Sequence, residues 1–332
     1  MASLFAAGLI AFVMGIILTV AVRRMAVSLG TMDVPNERSS HSAPTPRGGG
    51  ASFAVIIAAS AACLAIRDSS VPLGFLAVCA TGVAVISYID DLRNVPAAVR
   101  FSIQTVAAII FVSAITFTIP QVPAVLVGAA VVFWIVSLTN IFNFMDGIDG
   151  MAASQAVIAF TAVGAYSMSV SDNELMALCL IAASATAGFL VLNWAPARIF
   201  MGDVGSAFLG FSCACLSVIR GEPSAAAVVV WAIWPFIFDA TVTLLRRISK
   251  RENVLRAHRS HFYQRLTITC YSHAFVTTLS SACAIITAAF GLLAASSRIS
   301  WAAATITPLL FSAILPLFVR FSERHQRSKK TG

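Results

Sequence analysis

The chain has 332 residues, 59% of them hydrophobic and 11% charged, with a formal net charge of +8. That balance excludes a soluble globular domain and describes a polytopic membrane protein. It also argues against nucleic acid as a partner, because the basic residues are scattered over loops between apolar runs, where they lie against anionic lipid. The seven cysteines form no CxxC pair. Cys63, Cys79, Cys179 and Cys283 fall inside apolar runs and read as small packing residues.

Apolar runs occur at 3–22, 51–66, 71–89, 99–119, 122–139, 151–170, 174–192, 204–219, 224–245, 270–295 and 299–319. The first is long enough to span and has no basic segment before it, so it reads as a span and not a cleaved signal. The expected fold is an all-α, polytopic membrane bundle of about 11 transmembrane helices. The runs at 51–66 and 204–219 are short, which leaves a count of 10 open. No soluble segment is large enough to fold alone, so 1–332 reads as one transmembrane domain. Of the 22 Lys and Arg, all but Arg67, Arg220 and Arg298 fall after odd-numbered runs, counting Arg100 at the very start of the fourth, or in the tail. The positive-inside rule then puts the N-terminus outside and the C-terminus in the cytoplasm.

On that topology the polar loops near 23–50, 90–98, 140–150, 193–206 and 246–268 share the cytoplasmic face, while the outer loops are short and nearly featureless. Five loops converging on one face predict one composite site. In the first, Asp33-Val-Pro-Asn-Glu-Arg-Ser-Ser-His41 precedes Pro44-Thr-Pro-Arg-Gly-Gly-Gly50. Arg38 and Arg47 are each suited to bidentate phosphate binding, and the three glycines present backbone N–H groups to an anion. A flexible basic loop at the headgroups is the plainer reading. In the second, Asp90 and Asp91 adjoin. Two neighbouring acids repel unless a cation sits between them, which points to a metal or a general base.

The third loop, Asn140-Ile-Phe-Asn-Phe-Met-Asp-Gly-Ile-Asp-Gly150, holds Asn143, Asp146 and Asp149 between two apolar runs. Ionised groups are costly within a span, so such a group at a span end implies a use. On a helical turn Asp146 and Asp149 share a face, and oxygen ligands of this kind suit Mg²⁺ or Mn²⁺. The fourth, Asn193 to Ser206, sets Asp203 just before a run. Ser206 reads as a helix cap or a phosphate ligand, and Phe200 as a stacking partner for a base or an interface anchor. In the fifth, His258 and His261 are flanked by Arg256, Arg259 and Arg265. With no cysteine nearby, a cationic clamp for diphosphate fits better than zinc. Asp239, inside the ninth run, is either a helix–helix hydrogen-bond partner or part of the site.

The segments DVPNERSSH with PTPRGGG, YIDDLRN, NIFNFMDGIDGMA, NWAPARIFMGDVGS and HRSH resemble, in order, the polyprenyl-phosphate N-acetylhexosamine-1-phosphate transferase superfamily. That family includes the enzymes that start O-antigen and teichoic acid synthesis and the phospho-N-acetylmuramoyl-pentapeptide translocase of peptidoglycan synthesis. The resemblance is greatest to O-antigen-initiating transferases. It implies transfer of a sugar-1-phosphate from a UDP-N-acetylhexosamine to undecaprenyl phosphate, with UMP leaving, at the cytoplasmic face of a bacterial inner membrane. It implies Mg²⁺ as cofactor, with Mn²⁺ a substitute, and allows a homodimer.

By resemblance, Asp90 would be the base for the lipid phosphate, with Asp91 beside it. Asp203, Asp91 and Asp146 would hold the metal, and Asn143 and Asn193 would line the metal–diphosphate site. Asp149 and Phe200 would hold the uracil. Arg38, His41, Arg47, Arg259, His258 and His261 would contact phosphates or sugar. The chain departs from relatives in reading HRSH where others pair two histidines, and in lacking an acid or lysine after DDLRN. No pentapeptide-binding insertion is visible. That favours an initiating transferase using a GlcNAc, FucNAc or QuiNAc type of sugar over the peptidoglycan enzyme. A transporter, the alternative from another class, would need ionisable groups at mid-membrane, where only Asp239 is a candidate.

Overall fold

The computed structural model describes residues 2–35, 43–116, 119, 121–252, 258–269 and 271–331. Among them the helices are α1 (Ala2–Leu29), α2 (Ala51–Asp68), α3 (Val71–Arg93), α4 (Ala97–Ser113), α5 (Ala124–Met145), α6 (Met151–Ser169) and α7 (Asn173–Asn193). They continue as α8 (Asp203–Val218), α9 (Pro223–Ala232), α10 (Trp234–Ser249), α11 (Phe262–Ile268), α12 (His273–Ala295), α13 (Trp301–Ala304) and α14 (Ile306–Thr331). Each predicted apolar run is met by one helix or, at 224–245 and 299–319, by a pair. Among the described residues, eight helices are long and apolar enough to cross a membrane, or nine if the bent pair α9–α10 counts as one span. The protein is a polytopic helical membrane protein.

Three details depart from the sequence reading. The run 224–245 is not one straight span: α9 and α10 meet at a bend of 75°. Pro235, in the first turn of α10, has no N–H to continue the helical ladder across the break. The run 99–119 is helical only to Ser113. And α3, α5 and α7 run on through Arg93, Met145 and Asn193. Asp90, Asp91, Asn143 and Asn193 therefore stand on last helical turns and not in loops, so their backbones are held by the helices that bear them.

The bundle is built around α8. Every residue from Val204 to Val218 is buried, as expected of a helix apolar all round. α3 and α5 flank it, with α2, α6 and α9 around them. Lipid tails are as apolar as these side chains, so close packing and not water exclusion holds such helices together. Gly210 makes the approach: a Cβ there would lie 2.6 Å from the Leu138 carbonyl of α5. That contact brings Asn143 of α5 to Ser206 of α8, with the amide Nδ2 donating to the hydroxyl at 3.1 Å. Outward faces of α1, α5 and α14 expose Leu9, Phe133 and Leu309, the faces that meet lipid.

A two-residue ribbon pairs β1 (Met32–Asp33) antiparallel with β2 (Thr45–Pro46). It leads directly into Arg47. The far ends of the helices are not featureless. Arg220 bridges Asp172 and Glu174, each at 2.6 Å, and the Tyr166 hydroxyl donates to Glu222 at 2.8 Å. These bonds tie the α6–α7 turn to the α8–α9 turn.

Candidate active site

Three carboxylates and two arginines interlock where α3, α4, α8 and the β2–α2 turn meet. Asp90 and Asp91 end α3, Asp203 starts α8, Arg100 lies in the first turns of α4, and Arg47 follows β2. Arg47 Nη2 lies 2.8 Å from both Asp91 Oδ1 and Asp203 Oδ1. Arg100 Nη1 bonds Asp203 Oδ2 at 2.8 Å and pairs also with Asp90. Asp203 thus sits between two guanidinium groups, and its side chain keeps 21% exposure. Asp90 also accepts the Val95 N–H at 2.6 Å.

Asp91 is placed differently. Its carboxylate accepts the backbone N–H groups of Asp203 and Val204 at 2.9 and 3.1 Å, and its side chain is 2% exposed. It caps α8, where the helix dipole also favours a negative charge. Gly202 makes room: its φ is +76°, and a Cβ would fall 2.6 Å from Asp91 Oδ2.

The glycine run after Arg47 does not present a free anion cradle. Gly49 and Gly50 donate their N–H groups to the carbonyls of Phe200 and Met201 at 2.9 and 2.8 Å, and Phe200 donates to Pro46 at 2.8 Å. This splice fixes Arg47 beside Asp203, and Phe200, half-buried, lies within it. Ser206 does not cap α8 either, since its hydroxyl donates to the Gly202 carbonyl at 3.3 Å.

Asp146 and Asp149 are not on one helical face, because the chain leaves α5 at Met145 and turns before α6. Asp149 accepts the Ala197 N–H at 3.1 Å and lies 3.4 Å from His273 Nδ1. Asn193 is buried. It accepts from Gly150 and donates to the Ile199 carbonyl at 3.1 and 3.0 Å, joining the two loops. Asp146 is partly exposed but recessed. Burial, and then the negative charges of Asp203, Asp91 and Asp149, push its carboxyl well above the ordinary range, against the opposing pull of Arg47. An excess of negative charge of this kind is what a divalent cation relieves. Among the described residues, no three of His, Cys, Asp and Glu converge as a ready metal site. Mg²⁺ commonly takes one or two carboxylates together with substrate phosphates, and Asp203 with Asp146 fits that pattern. Asp91 is committed to α8.

The histidine element stands on Asp239, which resolves the open reading of that residue. Its carboxylate takes the N–H groups of Phe262 and Tyr263 at 2.9 and 3.0 Å and meets His261 Nδ1 at 3.1 Å. His258 lies with its ring centroid 5.0 Å from that of His261. Burial first, then His261 and Arg247, lower its pKa to about 4. At neutral pH the ring is uncharged, so it is a hydrogen-bonding group and not a fixed cation. Arg265 pairs with Glu323 of α14 at 2.8 Å and covers the Phe262 ring, which makes it a brace. Arg259 is half-buried in the same turn. Arg38, His41 and Arg256 lie outside the described residues.

A lowered His258 pKa has a testable sign. The unfolded imidazole titrates near 6.5, so its contribution to stability is complete above that pH and is lost as pH falls from there towards 4. The Tm advantage of wild type over His258→Gln is expected to shrink between pH 7.5 and 5. An unchanged difference would show that the ring titrates normally.

Two site residues carry no local sequence mark. Arg100 is one basic residue at the start of an apolar run, and His273 one histidine before another. A hairpin at Pro96 returns Arg100 to Asp90, ten positions back, and the start of α12 delivers His273 to Asp149.

Known proteins resemble the chain over most of its length. The family profile described as Glycosyl transferase family 4 matches residues 73–221. A Bacillus subtilis protein named probable undecaprenyl-phosphate N-acetylglucosaminyl 1-phosphate transferase is 31% identical over 277 residues, 78% of this chain and 75% of its own length. A Mycolicibacterium smegmatis decaprenyl-phosphate N-acetylglucosaminephosphotransferase is 28% identical over 80% of this chain and 76% of its own. A Lactiplantibacillus plantarum phospho-N-acetylmuramoyl-pentapeptide-transferase matches only 26% of this chain, at 40% identity. With motifs and long-range similarity in agreement, the chain belongs to the polyprenyl-phosphate N-acetylhexosamine-1-phosphate transferase superfamily.

Proposed function

We propose that the protein transfers an N-acetylhexosamine-1-phosphate from a UDP-sugar to undecaprenyl phosphate, giving undecaprenyl-diphospho-sugar and UMP. The observation that carries the reading is Asp203 held between Arg47 and Arg100 at the start of α8, with Asp90 on the same arginine. Two anionic substrates repel, and a site for joining them needs fixed cations beside carboxylates of distinct environments. The active site faces the cytoplasm of a bacterial inner membrane, with the N-terminus outside. That orientation is supported by the side on which all but three of the Lys and Arg residues fall.

In this reading a lipid phosphate oxygen bonds to the sugar-bearing phosphorus of the UDP-sugar. The bond from that phosphorus to the bridging oxygen breaks, and UMP departs with the electron pair. Arg47 and Arg100 turn from carboxylate partners to the phosphates, where their charge offsets that developing in the transition state. Asp90 orients the lipid phosphate and takes its remaining proton. Asp149, with His273 beneath it, receives the uracil edge while Phe200 stacks on the ring. His258 and His261 meet the sugar or its phosphate. Mg²⁺ held by Asp203 and Asp146, with Asn143 nearby, would supply charge neutralisation between the two substrates.

The sugar is of the GlcNAc, FucNAc or QuiNAc type, and the product starts O-antigen or a similar surface polysaccharide. The test is UMP release from purified protein with undecaprenyl phosphate across a panel of UDP-N-acetylhexosamines. Release is expected to need the lipid, to vanish with EDTA and to return with Mg²⁺. Release unaffected by EDTA would remove the metal, and none with any panel sugar would reject the reaction.

A further inference from the structure

The bend between α9 and α10 leaves a backbone carbonyl that the helical ladder does not meet. Phe236 donates its N–H to Ile233 at 2.9 Å, not to Ala232. Gln155 of α6, 2% exposed, supplies the missing donor, with Nε2 at 2.7 Å from the Ala232 oxygen. Two indoles brace the same bend against the last span. Trp231 Nε1 donates to the Ala304 carbonyl and Trp234 Nε1 to that of Pro308, each at 3.1 Å. Pro308 has no N–H to return to Ala304, and that carbonyl is met by the Thr307 hydroxyl at 3.1 Å as well as by Trp231. Within a bilayer no water replaces such bonds. The bend is therefore held in place from two sides.

Gln155 joins this bend to the site. Its helix begins directly after the Asp146–Gly150 loop, whose Asp149 carbonyl accepts from Thr277 at 2.9 Å. Beyond the bend, α10 carries Asp239, which holds His261 and the start of α11. From α11 the Tyr263 hydroxyl returns to the Phe144 carbonyl at 3.2 Å, just before Asp146. The path from loop to α6, across the bend, along α10 and back through Tyr263 is a closed ring, and the Gln155 bond closes it.

We infer that Gln155 is a positioning residue that fixes His261 relative to Asp146 and Asp149 by holding the α9–α10 bend. Its effect on turnover rests on the transferase reading, while its effect on geometry does not. Gln155→Met keeps the volume and removes the donor. Spin labels on Val27→Cys and Lys250→Cys, both exposed positions, report α10 against α1, and their distance distribution is expected to shift or broaden in the variant.

The kcat for UMP release is expected to fall roughly ten- to a hundredfold, with KM for the UDP-sugar changed less than about threefold. In a His261→Ala background the same change should cost little more, because two residues acting through one contact are not additive. An unchanged distance distribution overturns the inference, as does a kcat loss that multiplies in full with that of His261→Ala. A shifted distribution in a protein whose wild type releases no UMP would uphold the positioning of α10 and reject the transferase reading instead.

Discussion

Asp203→Asn is expected to lower UMP release by at least about 10³-fold, the scale of removing a preorganised charge from the reacting centre, while the purified protein stays monodisperse with its Tm nearly unchanged. The two halves of that expectation have separate causes. The carboxylate bonds both Arg47 and Arg100, and an amide neither balances two guanidinium groups nor binds a divalent cation comparably. The fold does not depend on that charge. The backbone N–H of Asp203, and not its side chain, is what Asp91 holds, and the side chain is partly exposed. Turnover within about tenfold of wild type would remove Asp203 from the centre of the reaction.

Asp91→Asn should fail in the opposite order, through structure first. Both its oxygens accept backbone N–H groups at the start of α8, and its buried carboxylate faces Arg47. An amide offers one acceptor and turns an N–H₂ towards a donor. The expected cost is about 3 kcal/mol, in the range for removing one partner of a buried ion pair, read as a lowered Tm. Activity should fall by at least about 10², because α8 carries Asp203. A variant with wild-type Tm and no turnover would show instead that Asp91 acts directly on substrate. Together the two variants test whether Asp203 does the chemistry and Asp91 aims it.

Much of this protein is legible without coordinates. Apolar runs determine which segments become helices, because in lipid every backbone group must be met within its own segment. Charged and amide side chains at the ends of those runs mark the site, because they are too costly elsewhere. What the sequence does not determine is which of two similar residues takes which partner. Asp90 and Asp91 adjoin, yet one faces Arg100 and the other an α-helix terminus, a difference set by where α8 begins. Asp146 and Asp149 look like a helical pair and are not, because the chain turns at Met145. Arg100, His273 and Gln155 have no local signature at all, since each acquires its role from a helix packed beside it. Local energetics decides what must be helix and what must be wet. Only the packing of α3, α4, α6, α8, α10 and α12 against one another decides which wet groups touch.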